Sequence, residues 1–474
     1  MSPVLTPFRT TFHETGVARD PLHELAVRSS YNKSDRMDVP VFLTENKQRV
    51  LPQKEVLATG ILLNRDGSLF QDSIALPARA LAMVMTGDLR FEPLNNTLVH
   101  RSYPSPRGLF PIELDLVFSH PQGETRLIFD ESHEALRPRP GCILGSQRRQ
   151  SSLRIELVAA MERIAPHYGD LALPLCLFEI GHLTEQLCAA LNALGCEFEC
   201  RLLPCPPAEY AQGEARSLVL LEIAFPGQTY LAPCQDDCTT TLRIAELVLN
   251  RADDERCVRA CNWARHSGGS PRVIDGIGRH DLFPVPNTPE KCPRTSGNSV
   301  VGMCGQPSTT TEQDAFIASI IESYQAVQDS QFSWPNMTIL RANSDFSVTA
   351  TYVSETVRST KVERGWALLS EAYGTFFNVD LQTVCLYVLF SAPFASILNH
   401  SSWTYAEMLV GSGILSQIIS NDAAARGFMA RAWKGMLEDK LECGFNLEGQ
   451  CFYTLAMGKC DLRNPALSVT RMRS

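Results

Sequence analysis

Apolar residues recur along this chain at two periods, three-to-four and two, and the switches between them mark out the elements. Helical spacing runs from Glu55 to Leu63 and again from Leu76 to Met85, where Leu76, Ala80, Leu81 and Val84 share one face. Ile112 to Phe118 alternates, which predicts a strand, and Arg126 to Phe129 is a short second one. Leu153 to Ile164 returns to helical periodicity, and Leu183 to Leu194 is an amphipathic helix stopped by Gly195. Leu218 to Phe225 is an apolar run closed by Pro226-Gly227, the mark of a buried strand.

Between Ser267 and about Thr311 this periodicity vanishes into Gly, Pro, Ser and Thr, which reads as a linker. Beyond it the spacing predicts a helix from Glu312 to about Val327 and a strand at Ser347 to Val353. A helix at Lys361 to Tyr373 and a strand at Val379 to Phe390 follow. Helices at Tyr405 to Ile419 and Ala423 to Leu437 lead to a last strand at Phe452 to Met457. At 474 residues the chain exceeds one ordinary core, so the organisation expected is 1–265, a linker over 266–311, and 312–474. Residues 1 to about 55 are polar and irregular.

A net charge of -9 argues against nucleic acid as a partner, because phosphate recognition needs a basic surface. The longest apolar stretch, Val384 to Leu398, is broken by Ser391 and Pro393 and is no membrane span. No secretion signal is visible, so the cytoplasm is the expected compartment and the 16 cysteines are expected as thiols. Cys234 with Cys238, and Cys257 with Cys261, could together present four thiolates to zinc. The segment Thr239 to Arg265 also reads as a helix, on which a spacing of four is simply one face, and no metal site is assigned.

Four stretches of the first half carry a more specific signal. Pro104-Ser105-Pro106-Arg107-Gly108-Leu109-Phe110-Pro111 leads into the strand at 113–118, and Phe129-Asp130 is followed by His133 and Leu136. His167-Tyr168-Gly169-Asp170 precedes Glu179-Ile180-Gly181-His182 and Gln186, and the apolar strand at 218–225 closes the set. In this order the stretches resemble the nitroreductase superfamily, most closely its SagB/McbC-type branch, which dehydrogenates azoline rings in peptides. The resemblance implies an α+β nitroreductase-like fold, a mixed sheet flanked by helices, with FMN as cofactor. It implies flavin contacts from Ser105, Arg107, Gly108, Glu179, Gly181 and Gln186, and base catalysis by Tyr168 with His167 standing where the branch has lysine. An imidazole accepts a proton near neutral pH without the pKa depression a lysine needs.

The sequence also departs from that branch. Where the superfamily has arginines for the flavin phosphate, the matching register reads Asn64, Asp66 and Ser68, so FMN binding is expected to be weakened or lost. The second half echoes the first more faintly: Ser370 to Phe377 ahead of the strand at 379–390, Gly411 to Gln417 against Gly181 to Gln186, and Phe452 to Gly458 as a last strand. Two tandem copies forming an internal pseudo-dimer follow from this, an arrangement that can replace homodimerisation. Two functions remain open: an FMN-dependent dehydrogenase that oxidises azolines in a peptide natural-product pathway, or a flavin-free partner that binds a peptide or another enzyme of that pathway.

Overall fold

The computed structural model describes residues 53–470 apart from 63–74, 92–98, 204–216, 266–270, 279–304, 374–383, 394–401, 461–466 and a few shorter gaps. The first body contains β1 (Gln53–Leu62), α1 (Ala75–Thr86), β2 (Asp88–Phe91), β3 (Val99–His100), β4 (Ile112–His120), β5 (Gly123–Asp130), β6 (Ala135–Pro138) and β7 (Arg149–Ala160). It continues with α2 (Met161–Tyr168), α3 (Ala172–Ala193), β8 (Glu199–Leu202), β9 (Ser217–Ala224), β10 (Tyr230–Ala232), β11 (Thr240–Leu247), α4 (Arg251–Arg265) and β12 (Arg272–Val273). The second body contains β13 (Gly305–Gln306), α5 (Thr310–Gln328), β14 (Asn336–Ala342), β15 (Val348–Val353), β16 (Val357–Val362), α6 (Gly365–Tyr373) and β17 (Leu386–Ala392). After it come α7 (Ser402–Ala425), β18 (Phe428–Trp433), α8 (Glu438–Gly444), β19 (Gln450–Cys460) and β20 (Leu467–Thr470).

The two main sheets share one strand order. In the first, β6-β5-β4-β7-β9-β8 are neighbours, with β1 and β11 beyond β6. In the second, β16-β15-β14-β17-β19 are neighbours and β18 lies on the far side of β19. A mixed sheet is expected from the sequence, yet every described pairing is antiparallel. The reason is local: β7 and β8, joined through α3, run the same way, but β9 slots between them. A third, small sheet pairs β20, from the end of the chain, with β2 and β3 of the first body.

Long helices join the bodies. Residues 172–191 of α3 are buried throughout, because the first sheet covers one side and α7 the other. The two helices touch backbone to backbone where Gly181 meets Gly413. A Cβ on Gly181 would lie 2.1 Å from the Val410 carbonyl oxygen, and one on Gly413 would lie 2.2 Å from that of Phe178. Both helices then end at a glycine of positive φ, Gly195 (71°) and Gly427 (75°), fourteen residues after the crossing. One continuous apolar core runs through both bodies, and a second sits outside the second sheet under α6 and α8.

Several sequence expectations fail here for identifiable reasons. Residues 55–62 form the strand β1, whose register with β11 runs from Gln53↔Leu247 to Gly60↔Thr240, and not a helix. The same pairing makes a strand of 240–247, where one long helix was expected up to Arg265. Leu153 to Ile164 divides into the end of β7 and the start of α2, since Leu153, Ile155 and Leu157 alternate on the core side of the sheet. Lys361 to Tyr373 likewise begins in β16 before α6. Gly427 ends α7, and the residues after it, expected as a second helix, form β18. Topologically β14, not the strand near 379–390, takes the place of β4, so Ser370 to Phe377 is not the counterpart of the Ser105 turn. Part of the expected linker is docked: Ile274 and Ile277 are buried, and the Gly278 N–H donates to Glu185 Oε2 (3.0 Å). Among the described residues no helix is long and apolar enough to cross a membrane.

Candidate functional site

The turn that feeds β4 is held to α3 by one short chain of hydrogen bonds. Pro106–Gly108 forms a single 3-10 turn, in which the N–H groups of Gly108 and Leu109 donate to the carbonyls of Ser105 and Pro106. Gly108 has a φ of 65°, which its missing Cβ permits. Phe110 adopts a φ of 45°, a strained value for a side-chain-bearing residue, and its surroundings over-determine it. Its N–H donates to Ser105 Oγ (2.9 Å), and its carbonyl accepts from Arg163 Nη1 (2.9 Å). The Arg101 guanidinium lies 3.7 Å from its ring centroid, and Tyr103 meets that ring edge-on. Ser105 Oγ in turn donates to Glu179 Oε2 at 2.7 Å, two turns into α3.

Glu179 is 1% exposed, and burial pushes its carboxyl up to about 8 against the pull of Ser105, Arg101 and Arg163. Its other oxygen, Oε1, has no partner. A glutamic acid in this state is neutral at physiological pH. Arg101 is itself buried, donates to Tyr103 Oη (2.7 Å) and pairs with Glu131. Arg163 pairs with Glu113 at 2.5 Å, so both described arginines at the turn already have carboxylates.

Further along α3 the polar side chains reach across to the second body. His182 hydrogen-bonds through both ring nitrogens, Nδ1 with Gln417 Oε1 (3.0 Å) and Nε2 with the Tyr453 hydroxyl (3.0 Å). Tyr453 stacks on Phe178, with ring centroids 4.0 Å apart. Gln417 Nε2 donates to the Ser102 carbonyl and to Asn421 Oδ1, and Gln186 Nε2 also donates to Asn421 Oδ1. Two buried atoms here are unpartnered, Ser102 Oγ and Asn421 Nδ2.

The structure thus joins Ser105, Gly108 and Glu179 in one junction and sets Gln186 beside it at the contact between α3 and α7. Gly181 is used for helix approach: the atoms around its Cα are backbone of α7, which leaves no room for a ligand on that side. The Arg107 side chain and the Asn64 to Ser68 stretch lie outside the described residues. His167 and Tyr168 end α2, one short turn ahead of α3, and both are half-buried. Arg101, Tyr103 and Tyr453 were not singled out from sequence, and Gln417 was noted there only as the end of an echo of Gly181 to Gln186. Single polar residues in apolar surroundings give no periodic signal, and Gln417 and Tyr453 meet His182 across more than two hundred residues of chain.

The cysteines divide between two places. Cys238 neighbours Cys234 and Cys142, whereas Cys261 neighbours Cys176 on α3. Among the described residues no group of three or more His, Cys, Asp or Glu converges as metal ligands would.

A flavin ring would need donors and acceptors for the carbonyls and imide of its polar edge. The N–H groups of Gly108, Leu109 and Phe110 are spent within the turn, but Glu179 Oε1, Ser102 Oγ and Asn421 Nδ2 are not, and they are donors and acceptors of the kind that edge uses.

No family model matches the chain, and no curated protein matches it. In three dimensions it is similar to a putative nitroreductase from Anabaena variabilis. The two are 13% identical with a TM-score of 0.61, and the likeness covers 94% of this chain and 100% of that one. A likeness of that extent runs through both bodies, and the fold of this chain is nitroreductase-like.

Proposed function

We propose that this chain is an FMN-dependent dehydrogenase built from two tandem nitroreductase-like copies that pair as an internal pseudo-dimer, and that it oxidises azoline rings in a peptide. The observation that carries this reading is the set of unpartnered buried polar atoms at the junction. Glu179 Oε1 and Ser102 Oγ come from one copy and Asn421 Nδ2 from the other. The shared strand order and the matched glycines of α3 and α7 support the pseudo-dimer.

In this reading Ser102, Glu179 and Asn421 hold the polar edge of the ring, and the Ser105 bond to Glu179 fixes the turn against α3. Bound flavin would supply the hydride acceptor. The chain's own task is to take the proton from the carbon beside the azoline C=N, with a ring nitrogen of His167 as base and the Tyr168 hydroxyl beside it. Neutral Glu179 adds no negative charge to the junction. The substrate class follows from the resemblance of His167-Tyr168 and the Glu179 to Gln186 stretch to the azoline branch. The expected cellular setting is a cytoplasmic peptide-modifying pathway.

One observation favours the flavin-free reading. The N–H groups of Gly108, Leu109 and Phe110 are engaged within the turn, and the two arginines described beside it, Arg101 and Arg163, are held by carboxylates. Equilibrium dialysis against FMN separates the two. Saturable binding that Asn421→Leu weakens supports the enzyme. Absence of binding leaves the peptide-binding partner. In a flavin-loaded enzyme, Tyr168→Phe should slow azoline oxidation by about two orders of magnitude at unchanged flavin content.

A further inference from the structure

Where the chain leaves the first body, it lies across a pair of thiols. Cys188, in the second half of α3, and Cys200, on β8, are both buried, and the Cys188 thiol is hydrogen-bonded to that of Cys200. Residues 272–275, with Ile277 and Gly278, form a strap over the two. Arg272 stands opposite Leu202 and Val273 opposite Arg201, where β12 pairs with β8. The Ile274 N–H donates to the Cys200 carbonyl (2.9 Å), and the side chains of Ile274 and Ile277 are buried. At Gly278 the backbone takes a φ of 68° and runs directly against Cys188. A Cβ there would stand 2.6 Å from the Cys188 carbonyl carbon and 2.7 Å from its Cβ. Polar contacts pin the strap at both ends. Gly278 donates its N–H to Glu185 Oε2 (3.0 Å) and accepts from Asn192 Nδ2 (2.7 Å), and Arg272 pairs with Glu407 of α7 (3.1 Å).

A buried thiol alone serves as a small apolar side chain, but two in contact can also give up two electrons by joining as a disulfide. The seated strap holds them back from this. Burial, and after it the neighbouring Cys200, pushes the Cys188 thiol well up, so no thiolate stands ready to attack an oxidant. A short docked segment opens at far less cost than the whole fold, and this one is held by a two-residue ladder and a few polar contacts.

We propose that Cys188 and Cys200 form a reversible disulfide, and that the strap gates it, admitting hydrogen peroxide to the pair only when it lifts. One thiolate attacks the peroxide, breaks the O–O bond and becomes a sulfenic acid as the first water leaves. The second thiol attacks that sulfur, releases the second water and closes the S–S bond. Two electrons and two protons thus pass from the thiols to the peroxide. The product ties α3 to β8, and the Arg272 pair with Glu407 makes access to it depend on how the two bodies are joined. Neither the pair nor the gate depends on flavin.

The test treats the reduced full chain with hydrogen peroxide, blocks remaining thiols with N-ethylmaleimide, and maps digests made without reductant by mass spectrometry. A Cys188–Cys200 cross-link that dithiothreitol removes is expected. Asn192, exposed on α3, touches the strap through one hydrogen bond. Asn192→Ala should therefore speed cross-linking roughly two- to tenfold, the range set by one lost bond. Oxidation of other cysteines while Cys188 and Cys200 both remain thiols overturns the pair. A cross-link that forms no faster in Asn192→Ala overturns the gate. So does an equal acceleration at Cys451, buried in the outer core of the second body, because general loosening and not the strap then admits the peroxide.

Discussion

Gly181→Ala is a severe perturbation for the smallest of side chains. In an isolated helix this change is stabilising by about 1 kcal/mol, because alanine loses less backbone freedom than glycine. Here the new methyl carbon would stand 2.1 Å from the Val410 carbonyl oxygen, 2.8 Å from Gly413 Cα and 2.9 Å from the Ile414 nitrogen. All three are backbone atoms, so no rotamer can relieve them. Ordinary contact begins near 3.4 Å, so α3 and α7 must separate locally by roughly 1.3 Å. That separation opens gaps between side chains on both sides of the crossing and stretches His182 away from Gln417 and Tyr453. Overpacking of a well-filled core costs about 1–3 kcal/mol, and the fixed backbone puts this case at the upper end. The net expectation, after the helix gain, is a loss of about 2 kcal/mol. Urea unfolding followed by circular dichroism should show a lower midpoint at an unchanged slope. Gly413→Ala should behave alike, and the double variant should cost less than the two losses together, since helices already parted accept the second methyl more easily. A Gly181→Ala chain at least as stable as wild type would refute the backbone contact and, with it, the register used to compare the two bodies.

Other expectations concern the junction and the connection between bodies. Because the folded state holds the Glu179 proton up to about pH 8, the stability this residue contributes is complete below its ordinary value of 4.5 and is lost as pH rises through about 8. Glu179→Gln should flatten that decline in urea midpoints taken from pH 5 to pH 9, and an unchanged pH profile would show that another group causes it. Ser105→Ala leaves the Phe110 N–H and Glu179 Oε2 without their partner and should cost about 1–3 kcal/mol; a thermal melt superimposable on wild type would count against the bond. A protease site introduced within 279–304 and cut should leave two fragments that co-elute on a sizing column, because α3 and α7 share one core. Fragments that elute apart, each soluble, would dismiss the internal pairing.

How far the sequence could be read depended on whether an element faces one environment or two. α1, α5 and β15 each have one buried side, and their periodicity placed them within a few residues; β9, buried on nearly every side chain, was legible instead as a short apolar run closed by Pro226-Gly227. α3 is buried all round, so its first half, Leu173 to Phe178, carries no stripe and only the part after Leu183 was expected as helix. β1 failed for the opposite reason. Most of its described side chains are exposed, Leu57 at 69%, so Val56, Leu57, Ile61 and Leu62 fit a helical spacing as well as a strand. In the site, Ser105, Gly108 and Glu179 were legible because they sit in an ordered motif. Asn421 and Tyr453 were not, since their roles exist only once α7 and β19, more than two hundred residues away, lie against α3.

The pairing of β20 with β2 sets the order in which this protein can be made. Thr470 lies opposite Asp88, so β2, already paired with β3, gains its second neighbour from a strand about 380 residues later. A ribosome adding about 5–20 residues per second delivers that neighbour roughly 20–75 seconds after β2 has been synthesised. Through most of this interval α3 also lacks α7, and a helix that the finished fold buries all round waits without cover on one side. Contacts of such long sequence separation are slow to close, and the nascent first body is the species most exposed to aggregation or chaperone capture. The first body thus completes its packing only with elements made more than two hundred residues after α3.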